Sequence, residues 1–252
     1  MKLLTLNLWG GIVHEPLLEF IKKHSSDVDV FCFQEVLFGE TPSFTEVHKA
    51  RVNIFNEISE ILTDFNAHKR ITQSNNFQRE PINFSVGQAT FVRKNISIED
   101  GGDFYCYDHI PHNTNKGGKI TGSLEWVEIK SEGENFLIAN LHGLWQAGTS
   151  GNDTPERFVQ SEKIKNFLDK KVGKKILCGD FNLNPEGKSI AILEEGMRNL
   201  VKELGSPSTR SHFYDGENTC SDYILVSPEI KVKDFEILQD PVSDHLPLRI
   251  EF

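Results

Sequence analysis

Polar side chains gather at the ends of five apolar, strand-like segments of this sequence. Four apolar runs end in such residues, and a fifth polar group directly precedes the last apolar run. The five groups are Asn7, Gln34-Glu35, Asn140-Leu141-His142, Gly179-Asp180-Phe181-Asn182 and Ser243-Asp244-His245. If the strands lie side by side, their ends converge on one edge of the sheets, where binding sites are commonly formed. The sequence therefore predicts one polar site at such an edge.

The acidic members of these groups indicate a bound cation. Glu35, Asp180 and Asp244 would repel one another when buried, so the cluster is costly unless a cation or a proton lies among them. Oxygen ligands without thiolates select a hard cation such as Mg²⁺ or Mn²⁺.

Each of these residues also has a simpler interpretation. Asp180 and Asn182 could be turn or cap residues, since such side chains bind nearby backbone groups. His142 could be a hydrogen-bonded core residue, and Glu35 could be solvated. For any single residue the structural and the functional interpretation are about equally favoured. The same pattern at five segments favours a common functional site.

The spacing of apolar residues predicts alternating helices and strands. Helices are predicted at residues 15–24, 45–62 and 155–170. Strands are predicted at residues 2–8, 28–33, 66–72, 86–93, 96–100, 122–130, 135–142, 175–180, 221–226, 230–238 and 246–251. Because some strands are hairpin neighbours and others are separated by helices, the sheets should be mixed. No repeat or linker divides the sequence, which predicts a single domain over residues 1–252.

The charge balance limits how the chain can bind nucleic acid. It has 27 Lys and Arg against 37 Asp and Glu, a net charge of −10. Broad, tight binding to duplex nucleic acid depends on Lys and Arg that neutralise phosphates, so the acidity counts against it. A local basic groove stays compatible with this composition. No apolar run approaches the roughly 20 residues of a membrane span, so stable membrane insertion is not expected.

The cysteines and the first residues favour a cytoplasmic protein. Cys32 and Cys178 lie inside apolar strand-like runs, and the sequence has no CxxC pair. Buried free thiols are the preferred interpretation, with one or two disulfides as the alternative. The apolar start of the chain stops at Asn7 without a small-residue cleavage site, which favours a strand over a signal peptide.

Six motifs, taken in order, resemble those of the endonuclease/exonuclease/phosphatase superfamily, which has the deoxyribonuclease-I-like fold. They are Thr5-Leu6-Asn7-Leu8-Trp9-Gly10, Gln34-Glu35-Val36, Asn140-Leu141-His142, Gly179-Asp180-Phe181-Asn182, Ser221-Asp222-Tyr223-Ile224 and Ser243-Asp244-His245-Leu246-Pro247. The resemblance covers essentially the whole chain. It implies an α/β (α+β) fold, a four-layer α/β sandwich in which two mixed β-sheets pack face to face and are flanked by helices. It also implies metal-dependent cleavage of phosphoester bonds.

The resemblance implies three residues for the metal. Glu35 matches the principal metal ligand, Asn7 matches the residue that helps to place the metal or its water, and Asp244 matches an acid on the metal side. Gln34 is expected to support the site from behind. The implied cofactor is Mg²⁺ or Mn²⁺.

Five further residues match the catalytic residues of the family. Asp180 would orient or deprotonate the attacking water, and crowding by other carboxylates is expected to raise its pKa. Asn182 would hold the phosphate or that water, and His142 would stabilise the developing charge or protonate the leaving oxygen. His245 would contact the phosphate, with Asp222 fixing its tautomer.

Trp9 departs from the nuclease branch of the superfamily, in which many members have Asp at this position of the first motif. The start Asn7-Leu8-Trp9-Gly10 is similar to that of neutral sphingomyelinase-like members. Secreted bacterial sphingomyelinases, however, need an export signal and often an apolar hairpin, and neither is evident here. The simpler role for Trp9 is packing beside the site.

Two residues are candidates for substrate binding. Trp145 could stack a base and Arg157 could hold a phosphate. Trp145 could equally cover the core and Arg157 could form a surface ion pair. The Gly-rich loop at residues 113–119 is interpreted as a surface connection.

Together these features predict a Mg²⁺-dependent phosphodiesterase that uses in-line attack of activated water. The expected substrate is nucleic acid at ends, nicks or single strands. One alternative is a phospholipid (sphingomyelinase-like) or inositol-phosphate phosphoesterase, and a second is a catalytically inactive binding module. The protein is expected to be a cytoplasmic monomer.

Overall fold

Two six-stranded sheets form the centre of the molecule. The computed structural model describes residues 1–39, 46–47, 49–76, 83–107, 119–120 and 122–252. In spatial order, the first sheet consists of β15 (Asp234–Ile237), β16 (Leu248–Glu251), β1 (Lys2–Asn7), β2 (Val30–Gly39), β6 (Asn83–Arg93) and β5 (Phe65–Asn76). The second consists of β13 (Arg198–Asn199), β14 (Asp222–Val226), β12 (Lys174–Asp180), β10 (Glu134–His142), β9 (Ser123–Ser131) and β7 (Ser97–Tyr105). Each sheet has one parallel pair, β1 with β2 and β10 with β12, among antiparallel ones, which confirms the prediction of mixed sheets.

Helices cover the outer faces of both sheets. They are α1 (His14–His24), α2 (Ile54–Ile61), α3 (Pro155–Lys170), α4 (Lys188–Glu194) and α5 (Leu200–Glu203). Strand β1 shows how alternation builds the layers, since side chains of a strand point to opposite faces in turn. Leu3 belongs to the apolar core between the sheets, whereas Leu4 and Leu6 belong to the cluster that also contains apolar residues of α1 and α2. The predicted four-layer α/β sandwich is confirmed.

The predicted helices at residues 15–24 and 155–170 are present. Helix α1 buries Leu17, Phe20 and Ile21, which lie on one face at helical spacing. Helix α3 begins after Thr154, whose hydroxyl accepts a hydrogen bond from the backbone N–H of Arg157, and has Pro155 in its first position. Both are favourable start signals, because they satisfy or remove backbone donors that the first turn leaves unpaired.

The predicted helix at residues 45–62 is wrong in its first half. The structure has two short strands there, β3 (Glu46–Val47) and β4 (Ala50–Arg51), and α2 begins only at Ile54. Lys49 turns the chain with φ of 72°, a left-handed conformation that a helix interior does not allow. Residues 45 and 48 lie outside the described residues.

Several further elements complete the chain. They are a 3₁₀ turn (Trp9–Gly11), β8 (Lys119–Ile120) and β11 (Trp145–Gln146). Of the predicted loop at residues 113–119, all but the last residue lie outside the described part of the chain. The four cysteines are buried and free. Within the described ranges, no helix combines the length and apolar character needed to cross a bilayer.

Candidate active site

Backbone register brings the predicted polar residues together at one edge of the sandwich. In the parallel pair β1 and β2, Asn7 lies opposite Gln34. In the second sheet, β10 and β12 align His142 with Asp180, and β14 places Asp222 opposite the same Asp180. The convergence predicted from the strand ends is therefore present in the structure.

A bulge in β2 directs Glu35 into this site. The register between β2 and β6 shifts between Phe33 and Val36, and Glu35 has φ of 53°. Its Oε1 lies 3.1 Å from Nδ2 of Asn7 and 3.6 Å from Nε2 of His142. A left-handed non-glycine residue is strained, and such strain is concentrated at functional sites.

The Asn7 side chain positions the carboxylates of Glu35 and Asp180, and its own Oδ1 is occupied by a backbone hydrogen bond. Its Oδ1 accepts a hydrogen bond of 2.9 Å from the backbone N–H of Trp9. Its Nδ2 donates to Glu35 and, at 3.1 Å, to Oδ2 of Asp180. Two acidic side chains from different sheets are thus held by one amide group.

Gly179 is required where β12 enters the site. It has φ of 126°, and a Cβ atom there would lie 2.1 Å from the carbonyl oxygen of Leu141. A larger residue would push β12 away from β10, so the Gly-Asp sequence places Asp180 against its parallel neighbour. Asn182 follows with φ of 54°, donates its N–H to Oδ1 of Asp180 at 3.0 Å, and donates Nδ2–H to the carbonyl of Gly143 at 3.1 Å.

His245 is held by Asp222. Nδ1 of His245 lies 2.8 and 2.9 Å from the two carboxylate oxygens of Asp222. Asp222 also accepts hydrogen bonds from the hydroxyls of Thr209, at 2.7 Å, and Ser221, at 3.1 Å. Nε2 of His245 therefore faces the site, 3.7 Å from Oδ2 of Asp180.

The charges around His245 and Asp180 set their protonation. Burial alone would lower the pKa of His245, but Asp222 and Asp180 outweigh both burial and Arg210 and raise it to about 8. Burial would raise the pKa of Asp180, but His245, Arg210 and His142 together lower it. The expectation that crowding raises the pKa of Asp180 is wrong, because the attraction of these three cationic side chains outweighs burial.

Asp244 and Arg210 form a buried ion pair beside His245. Nη1 of Arg210 lies 3.2 Å from Oδ2 of Asp244 and also contacts Nε2 of His245. Burial raises the pKa of Asp244, and Glu35 and Asp180 reinforce the shift, while His245 and Arg210 oppose it. Arg210 was not among the predicted residues, because it lies in the loop between α5 and β14 and follows no strand.

A pocket of about 380 Å³ opens over these side chains. Trp9 and Trp145 line it, and Trp145 is 42% exposed. Arg157 also lines it but is only 1% exposed, and its Nη1 donates to Oγ1 of Thr149, at 2.8 Å, and to the carbonyl of Asn152. Arg157 thus ties a loop to α3, and its predicted contact with a phosphate stays a prediction.

The model of the Endonuclease/Exonuclease/phosphatase family matches residues 4–245 of the sequence. The chain belongs to this family. It is accordingly a phosphoesterase of the endonuclease/exonuclease/phosphatase family, and the resemblance drawn from the six motifs is confirmed.

Solved structures share the fold of this family member at low sequence identity. A family protein from Leptotrichia buccalis C-1013-b is 19% identical, with a TM-score of 0.73 over 100% of this chain and 98% of that chain. A mannosyl-6-phosphatase from Bacteroides thetaiotaomicron VPI-5482 is 19% identical, with a TM-score of 0.70 over 100% and 98%. The human Nocturnin catalytic domain, with bound sulfate anion, is 18% identical, with a TM-score of 0.67 over 99% and 93%. No curated protein is similar enough in sequence to match.

The donors of this family member fit a hard cation. Ligand atoms of Asp180, Asp222 and His245 lie within 4.8 Å of one another, close enough to hold a metal ion. The oxygens of Asp222 and Nδ1 of His245 are, however, already paired with each other. Glu35, whose side chain is 34% exposed, is the more accessible carboxylate, and Asp244 shares its charge with Arg210 rather than with His245 Nδ1. The oxygen-rich set suits Mg²⁺ or Mn²⁺.

A buried polar network supports the site from behind. Gln34 donates through Nε2 to Oδ1 of Asn140 at 2.7 Å, as expected of a supporting residue. Asn140 donates to Glu125 at 3.3 Å, and Glu125 lies 2.7 Å from Nδ1 of His68. Burial raises the pKa of Glu125 in spite of His68. The network crosses between the sheets, so it fixes their relative position beneath Glu35.

Proposed function

We propose that this protein is a metal-dependent phosphodiesterase that cleaves P–O bonds by in-line attack of water. The observation that carries the proposal is the placement of His245. Asp222 binds its Nδ1, so that its Nε2 faces Asp180 across 3.7 Å. A catalytically inactive binding module would have no need of an imidazole oriented by a buried carboxylate.

Glu35 and Asp244 are the side chains that would hold Mg²⁺, and Asn7 would keep the Glu35 carboxylate in place. The ion would supply a positive charge for the phosphate oxygens and would lower the pKa of water. The strained bulge at Glu35 supports this role, because it brings a partly exposed carboxylate to the edge of the pocket.

The protein side chains would then control the attacking water and the phosphate. Asp180, kept ionised by its cationic neighbours, accepts a hydrogen bond from the water and then its proton. His245, whose pKa is about 8, donates to a phosphate oxygen. His142 lies on the other side of the site beside Glu35, where it can protonate the leaving oxygen. Asn182 orders Asp180 through its backbone N–H.

The proposed substrate is nucleic acid at ends, nicks or single strands. Trp145 offers an exposed ring at the pocket for stacking a base. The net charge of −10 and the confined pocket favour an accessible phosphate over a long duplex footprint.

A small phosphoester is a second candidate. The pocket of about 380 Å³ is the size of a small-molecule site. The structurally similar Bacteroides thetaiotaomicron protein is described as a mannosyl-6-phosphatase, so this fold accommodates a sugar phosphate.

Hydrolysis of bis-p-nitrophenyl phosphate with and without Mg²⁺ or Mn²⁺ tests the reaction class. We expect turnover that is abolished by chelation and by Asp180→Asn. Asp169→Asn, which removes an exposed carboxylate paired with Lys165, should keep full activity. Turnover that survives both chelation and Asp180→Asn would overturn the proposal.

A substrate panel tests the substrate. It should contain single-stranded, nicked and 5′-phosphotyrosyl DNA, RNA, sphingomyelin, phosphoinositides and mannose 6-phosphate. We expect the highest kcat/KM on a nucleic acid. Selective cleavage of the sugar phosphate would establish the second candidate, and selective cleavage of a lipid would favour the sphingomyelinase-like alternative.

A further inference from the structure

Arg210 is a buried cation that the proposed reaction does not yet use. Its side chain is 9% exposed and lines the pocket. A backbone bridge pairs Arg210 with His245, so its position is fixed relative to the catalytic imidazole. Among the described residues that line the pocket, Arg157 is the one other Lys or Arg, and its Nη1 is bound to the loop.

The guanidinium of Arg210 is held by an aromatic ring and by polar contacts, and one of its donors is left without a partner. Its plane lies over the ring of Tyr214, with the guanidinium carbon 4.2 Å from the ring centroid. Nη1 donates to Asp244 and contacts Nε2 of His245. Nε is buried and has no hydrogen-bond partner. A buried donor without an acceptor is costly, so this arrangement suits a ligand that brings acceptor oxygens.

We propose that Arg210 binds the non-bridging oxygens of the scissile phosphate together with His245. Because Nη1 of Arg210 touches Nε2 of His245, an oxygen that accepts from one is within reach of the other. A guanidinium presents several N–H donors in a plane, which matches the oxygens of a phosphate. The catalytic part of this proposal rests on the proposed function, whereas the phosphate-binding part is independent of it.

An alternative role for Arg210 is simple neutralisation of Asp244. A lysine would retain the positive charge but lacks the planar array of donors. Arg210→Lys should therefore behave like the wild type if charge alone matters, and like Arg210→Gln if phosphate recognition matters. Arg198→Gln is the matched control, because Arg198 pairs with Glu203 on the exposed surface outside the pocket.

Binding of inorganic phosphate to the metal-free protein tests the proposal directly. We expect phosphate to raise the Tm of the wild type and of Arg198→Gln but not of Arg210→Gln or Arg210→Lys. Mn²⁺ alone should raise the Tm of all four proteins, which shows that the variants fold and keep the metal site. No phosphate effect on the wild type, or an equal effect on the Arg210 variants, would overturn the proposal.

Hydrolysis of bis-p-nitrophenyl phosphate tests whether Arg210 also contributes to catalysis. Loss of a positioned donor to a developing oxyanion lowers kcat by about 10²-fold or more, and we expect this for Arg210→Gln and Arg210→Lys. A kcat within about threefold of the wild type for either variant would overturn the catalytic part. If the wild type has no metal-stimulated turnover but phosphate binding depends on Arg210, the proposed function fails and the phosphate site stands.

Discussion

Asp222 binds the imidazole of His245 with both carboxylate oxygens, at 2.8 and 2.9 Å from Nδ1. Asp222 lies in β14 of the second sheet, and His245 lies in the segment just before β16 of the first sheet. Both side chains are 96% buried. The carboxylate fixes which nitrogen carries a proton and raises the pKa of the ring to about 8. This pair therefore determines the orientation of the imidazole and the pH range over which it can act as the proposed hydrogen-bond donor to the phosphate.

Asp222→Asn should lower kcat by about 10³-fold, since an amide can no longer hold the imidazole in the required tautomer. The pH dependence follows from the sign of the shift. His245 is raised above its ordinary pKa, so its donor form is present at lower pH and is lost as the pH rises through about 8. Without the Asp222 charge, the alkaline loss of kcat/KM should begin at lower pH. Asp215→Asn, an exposed acid, should leave the profile unchanged. An alkaline limb unaltered in Asp222→Asn would contradict this role.

Glu35→Gln should weaken metal binding and remove metal-stimulated turnover. The Glu35 carboxylate is about one-third exposed at the pocket, and the neutral amide keeps its size without its charge. Titration with Mn²⁺, followed by calorimetry, should show affinity reduced by about 10-fold or more. Asp169→Asn serves as the charge control on the surface. Equal Mn²⁺ affinity in Glu35→Gln and the wild type would exclude Glu35 as the principal ligand.

Trp145→Ala should raise KM for a single-stranded oligonucleotide by about 10-fold while changing kcat little, because base stacking contributes to binding rather than to bond cleavage. The indole is 42% exposed at the pocket, so its removal should not destabilise the core. Val159→Ala, which shortens an exposed side chain of α3, is the control. An unchanged KM would assign Trp145 to packing alone.

The site could be predicted from the sequence wherever a residue follows a regular strand. Asp180 and His142 are examples, because parallel pairing of β10 and β12 brings equivalent strand ends together. Arg210 could not be predicted in this way, since it lies in a loop and meets His245 through an isolated backbone bridge and a side-chain contact. The lowering of the Asp180 pKa could likewise not be predicted from the sequence, because it depends on which charges surround the carboxylate in space.

The fold shows the same division between regular and irregular segments. The strand predicted at residues 2–8 is present as β1, in which Leu3 and Leu4 lie on opposite faces. The helix predicted at residues 45–62 is wrong in its first half, because a left-handed Lys49 reverses the chain and Val47 pairs with Ala50. The turn at Lys49 outweighs the helical spacing of the apolar residues before Ile54, since helix propensity is small compared with tertiary packing.

His68→Ala should destabilise the protein by about 2 kcal/mol at neutral pH, because it leaves the Glu125 carboxylate without its cationic partner. Glu125 is fully buried, whereas His68 is partly exposed, which keeps the loss below that of a completely buried pair. His14→Ala removes a comparable pair with Glu57, whose carboxylate is 24% exposed, and should cost less than about 1 kcal/mol. Chemical denaturation measures both.

The pH dependence of this loss separates the ion pair from simple packing. The hydrogen bond to Glu125 raises the pKa of His68 above 6.5, so the pair stabilises the folded state fully below that value. Its contribution is lost as the pH rises through the raised pKa, and the difference between wild type and His68→Ala should shrink accordingly. A difference that stays constant into the alkaline range would show that the imidazole acts through packing and not through its charge.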